Sequence, residues 1–193
     1  MMKLVFATNN LHKLEEIRAL VDSSIEVVGL KETGIYEEIP ETASTLEGNA
    51  IQKAKYVYEK LKIPCFADDT GLEVKILNNR PGIMSARYAG SDCVAENNMN
   101  KLLSEMSGAT KREAKFRTVI AFIHRKGVNC FEGIIEGRIT TEKIGDNGFG
   151  YDPVFLPNGS DRTFAQLSFD EKNRISHRSK AIQKFIGFLH SEI

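Results

Sequence analysis

The sequence predicts an α/β fold with a mixed central sheet flanked by helices. Strand and helix patterns alternate through the first half of the chain, which is typical of sheets that are covered by helices. Two long strand patterns, residues 115–125 and 128–139, then follow each other across a two-residue connection. Such a connection indicates a hairpin and therefore an antiparallel pair. No repeat, linker or low-complexity tract interrupts the pattern, and we expect a single domain over residues 1–193.

Two strands and two helices make up the beginning of the chain. The first strand, residues 3–8, leads into a helix that begins near Leu11 and repeats apolar residues on one face. The second strand, residues 25–28, is followed by an acidic loop at residues 37–42 and then by the second helix.

The second helix has an apolar stripe that we expect to face the core. Ser44 and Glu47 match a capping box at its start. The stripe consists of Leu46, Ala50, Ala54, Val57 and Leu61. Helical spacing leaves Asn49 and Lys53 together beside the stripe, and a solvated helix charge is one interpretation of Lys53.

Two adjacent carboxylates, Asp68 and Asp69, end a short apolar strand at residues 65–67, and a further strand is expected at residues 72–77. Neighbouring side chains of an extended chain point to opposite faces, so we expect only one carboxylate to face a given cleft. Their mutual repulsion favours a hard cation such as Mg²⁺, which prefers oxygen ligands. A turn in which an aspartate caps backbone N–H groups before Gly71 is an equally good interpretation.

Three more helices are predicted in the second half of the chain. The first spans residues 92–106, and the second is short and begins at a capping box formed by Ser168 and Glu171. The last is amphipathic and directs four residues inward, namely Ala181, Ile182, Phe185 and Leu189.

The composition argues against some broad classes of partner. Lys plus Arg and Asp plus Glu both number 26, so no overall charge favours nucleic acid or an anionic membrane. The three cysteines are far apart and show no metal-ligand spacing, which fits reduced thiols in a cytosolic protein. No stretch has the length of a membrane span and the first residues lack a signal-peptide core, so we expect a cytoplasmic protein.

Two loops carry residue types that suit a charged or a flat ligand. Residues 8–13, TNNLHK, lie where free backbone N–H groups and the helix dipole attract anions, and Lys13 adds a charge, although most such loops bind nothing. Residues 148–153, GFGYDP, combine two aromatic rings with glycines, which suits the stacking of a base. Core packing of Phe149 and Tyr151 is the alternative.

Three cations, Lys172, His177 and Arg178, lie across the junction of the last two helices, and the latter two are near the start of the final helix. The helix dipole disfavours cations at that end, so their position indicates a ligand or an acidic partner. An ordinary charged surface patch is the alternative.

Longer motifs that contain these residues are spread in order along the chain, namely FATNNLHKLEEI, ETASTLEGNAIQKA, FADDTGLEV, PGIMSARYAG, GFGYDPVF, TFAQL and EKNRISHRSKA. In order and spacing, these blocks resemble the inosine triphosphate pyrophosphatase family over nearly the whole chain. The resemblance implies a mixed-sheet α/β fold with two lobes and a long cleft between them, and a homodimer. It also implies Mg²⁺-dependent hydrolysis of the triphosphates of inosine, deoxyinosine and xanthosine to the monophosphate and pyrophosphate.

The resemblance also implies a role for each matched residue. The triphosphate would be held by Thr8, Asn9, Asn10, Lys13, Lys53 and Thr70. The Mg²⁺ ion would be held by Glu41 and Asp69, and Asp69 would also act as the base. The purine would be held by Phe149, Gly150, Tyr151, Asp152, Lys172, His177 and Arg178.

One position departs from the family pattern. Many relatives carry an acidic residue immediately before Asn49, where this chain has Gly48. If the missing carboxylate is a ligand of the metal or of a water molecule, Glu47 or Glu41 has to take its place.

Three other functions compete with this prediction. Asp69, Thr70 and Gly71 spell the DTG motif of aspartic proteases, but those enzymes are almost entirely β and need two such aspartates. A non-catalytic nucleotide-binding module is the second, and a pyrophosphatase for modified pyrimidines or standard triphosphates is the third. Donors such as Lys172 and Arg178 favour a 6-oxo purine, because adenine would present its 6-amino donor to them.

Overall fold

Seven strands and five α-helices form the regular structure of residues 2–192, the part of the chain that this computed structural model describes. The strands are β1 (Met2–Phe6), β2 (Ile25–Gly29), β3 (Cys65–Val74), β4 (Arg80–Gly82), β5 (Glu113–His124), β6 (Gly127–Ile139) and β7 (Phe155–Pro157). The helices are α1 (Leu11–Leu20), α2 (Leu46–Leu61), α3 (Ala95–Glu105), α4 (Phe169–Ile175) and α5 (His177–Glu192). Within residues 2–192, no helix combines the length and the apolar character that a membrane crossing requires.

The strands form one mixed sheet in the order β2-β1-β3-β5-β6-β7, and β4 pairs with β3 outside this order. β1 is parallel to β2 and to β3, with Met2 opposite Ile25 and Val5 opposite Cys65. β3 is antiparallel to β4, and β6 is antiparallel to β7. The predicted α/β class with a mixed sheet is therefore confirmed.

The chain forms two compact units, each with its own apolar core. Unit 1 consists of Met1–Asp69, Thr118–Gly133 and Arg178–Ile193, and unit 2 consists of Thr70–Arg117 and Ile134–His177. In unit 1, one apolar cluster contains the four residues predicted to point inward from the last helix, and another contains most of the α2 stripe. The core of unit 2 includes Phe116, Phe155 and Phe164. The single domain and the cleft stay predictions.

β3 is longer than the sequence predicts and runs without a break over Cys65–Val74. Asp68 and Asp69 therefore lie inside a strand and not at its end. The strand stays extended because its first residues pair with β1 and its last residues pair with β4. The predicted strand at residues 72–77 is wrong in its second half, where Lys75–Leu77 form a 3-10 turn.

The starts of α2 and α3 also differ from the prediction. The N-cap of α2 is Thr45, whose Oγ1 accepts the Gly48 N–H, so the capping box of Ser44 and Glu47 is wrong by one residue. α3 begins three residues later than predicted, because Cys93 has a left-handed φ of 54° and cannot belong to a helix.

The last two helices agree with the prediction. The capping box of Ser168 and Glu171 begins α4, with both of its hydrogen bonds formed. The inward face predicted for α5 is buried at all four positions, namely Ala181, Ile182, Phe185 and Leu189. Both features depend on neighbours in the sequence, which is why the local pattern suffices to predict them.

Candidate active site

Two carboxylates of unit 1, Glu41 and Asp69, share one ammonium group. Lys53 Nζ donates to Glu41 Oε1 at 2.5 Å and to Asp69 Oδ1 at 3.5 Å. The side chains of Lys53 and Asp69 are about one-tenth exposed, and that of Glu41 is 28% exposed. Lys53 is therefore part of a buried charge cluster, and its interpretation as a solvated helix charge is wrong.

The pKa values of this cluster follow from burial and from the neighbouring charges. Burial raises the pKa of Asp69, and together with the charge of Glu41 it outweighs Lys53 and Lys13, which lower that pKa. Burial would lower the pKa of Lys53, but Asp69 and Glu41 raise it above its ordinary value. Lys53 therefore stays charged, and Asp69 is a stronger proton acceptor than an ordinary aspartate.

A second group of buried charges in unit 1 is centred on Asp68. Lys13 Nζ donates to Asp68 Oδ1 at 2.9 Å, and Arg178 Nε donates to Asp68 Oδ2 at 3.3 Å. Arg178 Nη1 also donates to Glu16 Oε2. Asp68 and Asp69 thus contact different partners, as expected for neighbours on a strand.

Strong pairing keeps Asp68 ionised. Burial would raise the pKa of Asp68, but the charges of Lys13, Arg178 and Lys53 hold it well below its usual range. For Lys13, burial lowers the pKa and the charge of Asp68 offsets only part of this effect. For Arg178, the two carboxylates of Glu16 and Asp68 outweigh burial and raise the pKa. The acidic partner that the position of Arg178 predicts is therefore confirmed.

The loop before α1 uses some of its hydrogen-bonding groups internally. Asn10 caps the helix, since its Oδ1 accepts the Lys13 N–H at 3.1 Å, and its own N–H donates to Thr8 Oγ1 at 3.1 Å. Asn9 Nδ2 donates to the Glu37 carbonyl at 3.4 Å. The prediction of free backbone N–H groups is therefore wrong for Asn10 and Lys13, because side chains of the loop occupy them. The Lys13 side chain is 15% exposed.

A buried ion pair in unit 2 joins Asp152 to Lys172. Lys172 Nζ donates to Asp152 Oδ2 at 2.6 Å, and the two side chains are 5% and 4% exposed. The same oxygen accepts the Phe149 N–H at 2.9 Å. The ammonium lies 4.6 Å from the centroid of the Phe149 ring, close enough for a cation–π attraction. An ammonium and a partly exposed aromatic ring therefore lie side by side.

Gly148 makes this arrangement possible. A Cβ built on Gly148 would lie 2.1 Å from Asp152 Oδ2, and the φ angle of +76° is one that L side chains rarely adopt. Gly150 also has a positive φ, of +64°. The glycines around Phe149 therefore serve the turn and the close approach of the Asp152 carboxylate.

The other two residues predicted to contact the base are deeply buried in unit 2. Tyr151 is 6% exposed and belongs to the core, and its hydroxyl donates to the Ser85 carbonyl at 2.9 Å. His177 is 3% exposed and stacks on Phe116, with ring centroids 4.6 Å apart. Core packing is therefore the better interpretation of Tyr151, whereas Phe149 remains partly exposed.

The oxygen atoms of Glu41 and Asp69 fit the requirements of Mg²⁺. This ion is commonly bound by one or two carboxylates together with water and substrate phosphates. The two carboxylates are close enough for the charge of Glu41 to raise the pKa of Asp69, a repulsion that a divalent cation would relieve. In the described range, residues 2–192, no three His, Cys, Asp or Glu side chains are grouped to hold a metal.

Gly48 lies where the loop before α2 comes closest to the helix. A Cβ built on Gly48 would be 2.6 Å from Ala43 Cβ and 3.0 Å from Thr45 Oγ1, so Ala43 occupies the space that an acidic side chain would need. Glu47 is exposed, and its charge acts on Cys130 of β6. Of the two candidates for the missing carboxylate, Glu41 is therefore the one that contacts Lys53.

We expect Gly48→Ala to destabilise the fold although it removes a helical glycine. The gain in helix propensity is about 1 kcal/mol, whereas overpacking against the Ala43 Cβ costs roughly 1–3 kcal/mol. Urea unfolding of Gly48→Ala, Ala43→Gly and the double variant measures the coupling. Ala43→Gly is expected to restore stability to Gly48→Ala. If the changes in unfolding free energy of the two single variants simply add up in the double variant, the two positions do not compete for space.

Comparison with known proteins identifies the family of this chain. The family model described as the Ham1 family matches residues 4–188. The chain belongs to the Ham1 family. The resemblance to inosine triphosphate pyrophosphatases is thereby confirmed, since the relatives of this Ham1 family member include proteins named dITP/XTP pyrophosphatase.

Two such relatives and one solved structure resemble this chain over almost its full length. The dITP/XTP pyrophosphatase of Porphyromonas gingivalis is 53% identical over 190 residues, which cover 98% of each chain. That of Flavobacterium psychrophilum is 51% identical over 187 residues, which cover 97% of this chain and 98% of the relative. The structure of the Staphylococcus aureus Ham1 protein superimposes with a TM-score of 0.90 at 40% identity, covering 99% of this chain and 100% of that one.

The predicted site residues fall into the two units in a regular way. Unit 1 contains the residues predicted for phosphate and metal except Thr70, together with Arg178. Unit 2 contains Thr70 and, apart from Arg178, the residues predicted for the base. Two further members of the unit 1 clusters, Glu16 and Asn49, were given no role by the sequence. The sequence did contain a signal for Glu16, because it lies one helical turn after Lys13 and therefore on the same face of α1.

Proposed function

We propose that this chain hydrolyses the triphosphates of inosine, deoxyinosine and xanthosine to the monophosphate and pyrophosphate. The observation that carries the proposal is the contact of one buried ammonium, Lys53, with the carboxylates of Glu41 and Asp69. These are residues to which the family resemblance assigns phosphate and metal. The names of the relatives support the same activity.

The residues of unit 1 would act on the phosphates. Attack of water on the α-phosphorus builds negative charge on the phosphoryl oxygens and on the departing pyrophosphate. Lys13 and Lys53 would neutralise this charge, and Thr8 to Asn10 and Thr70 would bind the phosphates beside them. Asp69 would accept the proton of the attacking water, a role that its raised pKa favours. No side chain is needed as a covalent nucleophile.

Glu41 and Asp69 would hold Mg²⁺. The ion, when bound, would polarise the phosphate oxygens and make a bound water easier to deprotonate. Lys53, which contacts both carboxylates, would keep them together before the ion binds.

The residues of unit 2 would bind the base. Phe149 would stack on the purine, and the ammonium of Lys172, which Asp152 holds beside the Phe149 ring, would donate to its 6-oxo group. Gly150, Tyr151 and His177 would shape this pocket. Adenine would present a 6-amino donor to the ammonium, and sites of this kind reject a mismatched base by roughly 10⁴-fold. The contact of Arg178 with the base also remains part of the proposal.

Three further parts of the proposal rest on the composition and the resemblance. The chain would be a homodimer, it would be cytoplasmic, and it would have no nucleic-acid partner. Light scattering coupled to size-exclusion chromatography would measure the mass of the particle directly, and a mass of one chain at micromolar concentration would contradict the dimer.

A panel of nucleoside triphosphates, assayed for pyrophosphate with and without a chelator, tests the activity. Pyrophosphate is expected from the inosine, deoxyinosine and xanthosine substrates and not from ATP, and EDTA is expected to abolish its release until Mg²⁺ is added back. Binding of inosine triphosphate without any product would favour the non-catalytic nucleotide-binding module. Equal rates with pyrimidine or standard purine triphosphates would contradict the proposed base preference, and turnover in EDTA would contradict the metal.

A further inference from the structure

The side chain of Asn49 joins two parts of unit 1 that carry the carboxylate pair. It is 3% exposed and lies on the first turn of α2. Its Oδ1 accepts the Ala43 N–H at 2.9 Å, and its Nδ2 donates to Asp69 Oδ2 at 3.1 Å. Because one end accepts and the other donates, a neutral amide satisfies both partners, whereas a carboxylate could accept from Ala43 but not donate to Asp69.

The first of these hydrogen bonds holds the loop that carries Glu41. Ala43 is two residues after Glu41, and at the neighbouring position Gln52 exchanges two hydrogen bonds with Thr42, both of 2.9 Å. The absence of a side chain on Gly48 lets Ala43 approach the helix. The loop is therefore held on α2 over consecutive residues, and this places Glu41 Oε1 against Lys53.

The second hydrogen bond fixes the orientation of the Asp69 carboxylate. Oδ2 is taken by Asn49, and Oδ1 is turned towards Lys53 Nζ. Asn49 and Lys53 lie one turn apart on the same face of α2, so a single helix face holds both oxygens of Asp69 and the loop of Glu41. The two carboxylates are thus oriented by neighbours that are themselves buried and hydrogen bonded.

We propose that Asn49 is a positioning residue for the carboxylate pair: its amide holds the loop of Glu41 and the carboxylate of Asp69 in register, so that both present oxygens to one divalent cation. The inference rests on the proposed function, in which these two residues bind Mg²⁺. Asn49 acts through Asp69 and through the loop that carries Glu41, because its two hydrogen bonds are made to Asp69 and to Ala43. Partners of this kind contribute about 10- to 100-fold to metal affinity when their loss has been measured in other proteins.

Two measurements on the full-length chain test the inference. Calorimetry measures the affinity for Mn²⁺, used as a probe for Mg²⁺, and a kinetic titration measures the Mg²⁺ concentration that gives half-maximal turnover. Asn49→Ala is expected to weaken Mn²⁺ binding and to raise the half-maximal Mg²⁺ concentration, each by about 10- to 100-fold. Turnover at saturating Mg²⁺ is expected to recover much of the loss. Asn49→Ala also leaves a cavity. Asn49→Leu removes the same hydrogen bonds but keeps about the same side-chain volume, so it separates loss of the hydrogen bonds from the effect of the cavity.

Asn98→Ala is the matched control. Asn98 is also 3% exposed on a helix, and its amide likewise accepts from a backbone N–H, that of Ala89 at 2.7 Å. Its Nδ2 donates to the Ala86 carbonyl at 2.8 Å, so the variant loses the same number of hydrogen bonds but leaves the carboxylate pair of unit 1 intact. It is expected to lose thermal stability without a change in Mn²⁺ affinity.

Two results would overturn the inference, and they have different meanings. If the unmodified chain binds Mn²⁺ and both Asn49 variants bind it equally well, Asn49 does not position the pair, and the proposed function is untouched. If the unmodified chain binds neither ion and turns over in EDTA, the metal assignment fails and the role of Asn49 fails with it.

Discussion

Asp69→Asn is expected to lower pyrophosphate release from inosine triphosphate by about 10²- to 10⁴-fold, the range typical of losing a positioned general base. The substitution keeps the shape of the side chain, and the new amide can still present an oxygen to the Asn49 donor that Asp69 Oδ2 now accepts. It removes the charge that would hold Mg²⁺ beside Glu41. Turnover is measured at saturating Mg²⁺, so that loss of the base is separated from a weaker metal site.

The controls for this variant are a binding measurement and a matched surface substitution. Asp69→Asn is expected to bind inosine triphosphate and to unfold cooperatively, because its one amide oxygen can keep the hydrogen bond from Asn49 and Lys53 keeps its contact with Glu41. Asp161→Asn makes the same chemical change at an exposed position and is expected to turn over normally. Turnover of Asp69→Asn within tenfold of the unmodified chain would contradict the role of Asp69 as the base.

Arg178→Ala is expected to cost about 3–5 kcal/mol of unfolding free energy, because it leaves two buried carboxylates without their guanidinium. Arg178 is 1% exposed and donates to Asp68 and Glu16, which are 1% and 3% exposed. The matched control is Arg162→Ala, whose pair with Glu171 is 47% and 39% exposed. An exposed pair contributes only about 0–1 kcal/mol. Urea unfolding of both variants measures the difference.

The pH dependence of this difference follows from the pKa of Asp68. The folded protein holds that pKa well below its usual range, chiefly because the charges of Lys13 and Arg178 overcome burial. An aspartate whose pKa is depressed by folding stabilises the folded state at pH values above its pKa in the unfolded chain, which is about 4. This stabilisation is lost as the pH falls towards the pKa of the same group in the folded protein. The difference in unfolding free energy between the unmodified chain and Arg178→Ala is therefore expected to have its full size at pH 7 and to become smaller below about pH 4. A loss at pH 7 no larger than that of Arg162→Ala would contradict the structural role of Arg178.

The two predicted roles of Arg178 can be separated by this comparison. The resemblance assigns Arg178 to the base, whereas in unit 1 the guanidinium joins Glu16 to Asp68, and Asp68 also pairs with Lys13. Loss of Arg178 would therefore disturb Lys13, which we propose binds phosphate, as well as any contact with the base. The effect of Arg178→Ala on base preference has to be measured under conditions in which the variant remains folded.

Local sequence patterns predicted those elements whose formation depends on nearby residues. The helical stripe of α2, the inward face of α5 and the capping box of Ser168 and Glu171 all have a period or a spacing that a single element imposes. The start of α2 was predicted one residue early because Ser44 and Thr45 are both good caps, and the pattern alone does not choose between them. Asp68 and Asp69 looked like the end of a strand because carboxylates are rare inside one.

The residue types of the candidate site suggest phosphate and metal before any fold is known, since carboxylates and ammonium groups suit these ligands, and this assignment stays a prediction. The pairing of those groups was not predictable. Arg178 and Asp68 are 110 positions apart in the chain, and Lys53 and Glu41 meet only because a loop is held against α2. Burial and distance decide which cation pairs with each carboxylate. The pairing in turn decides whether the pKa of that carboxylate is depressed or raised. These arise when separate elements pack together, because charge interactions become strong only where the packed chain excludes water.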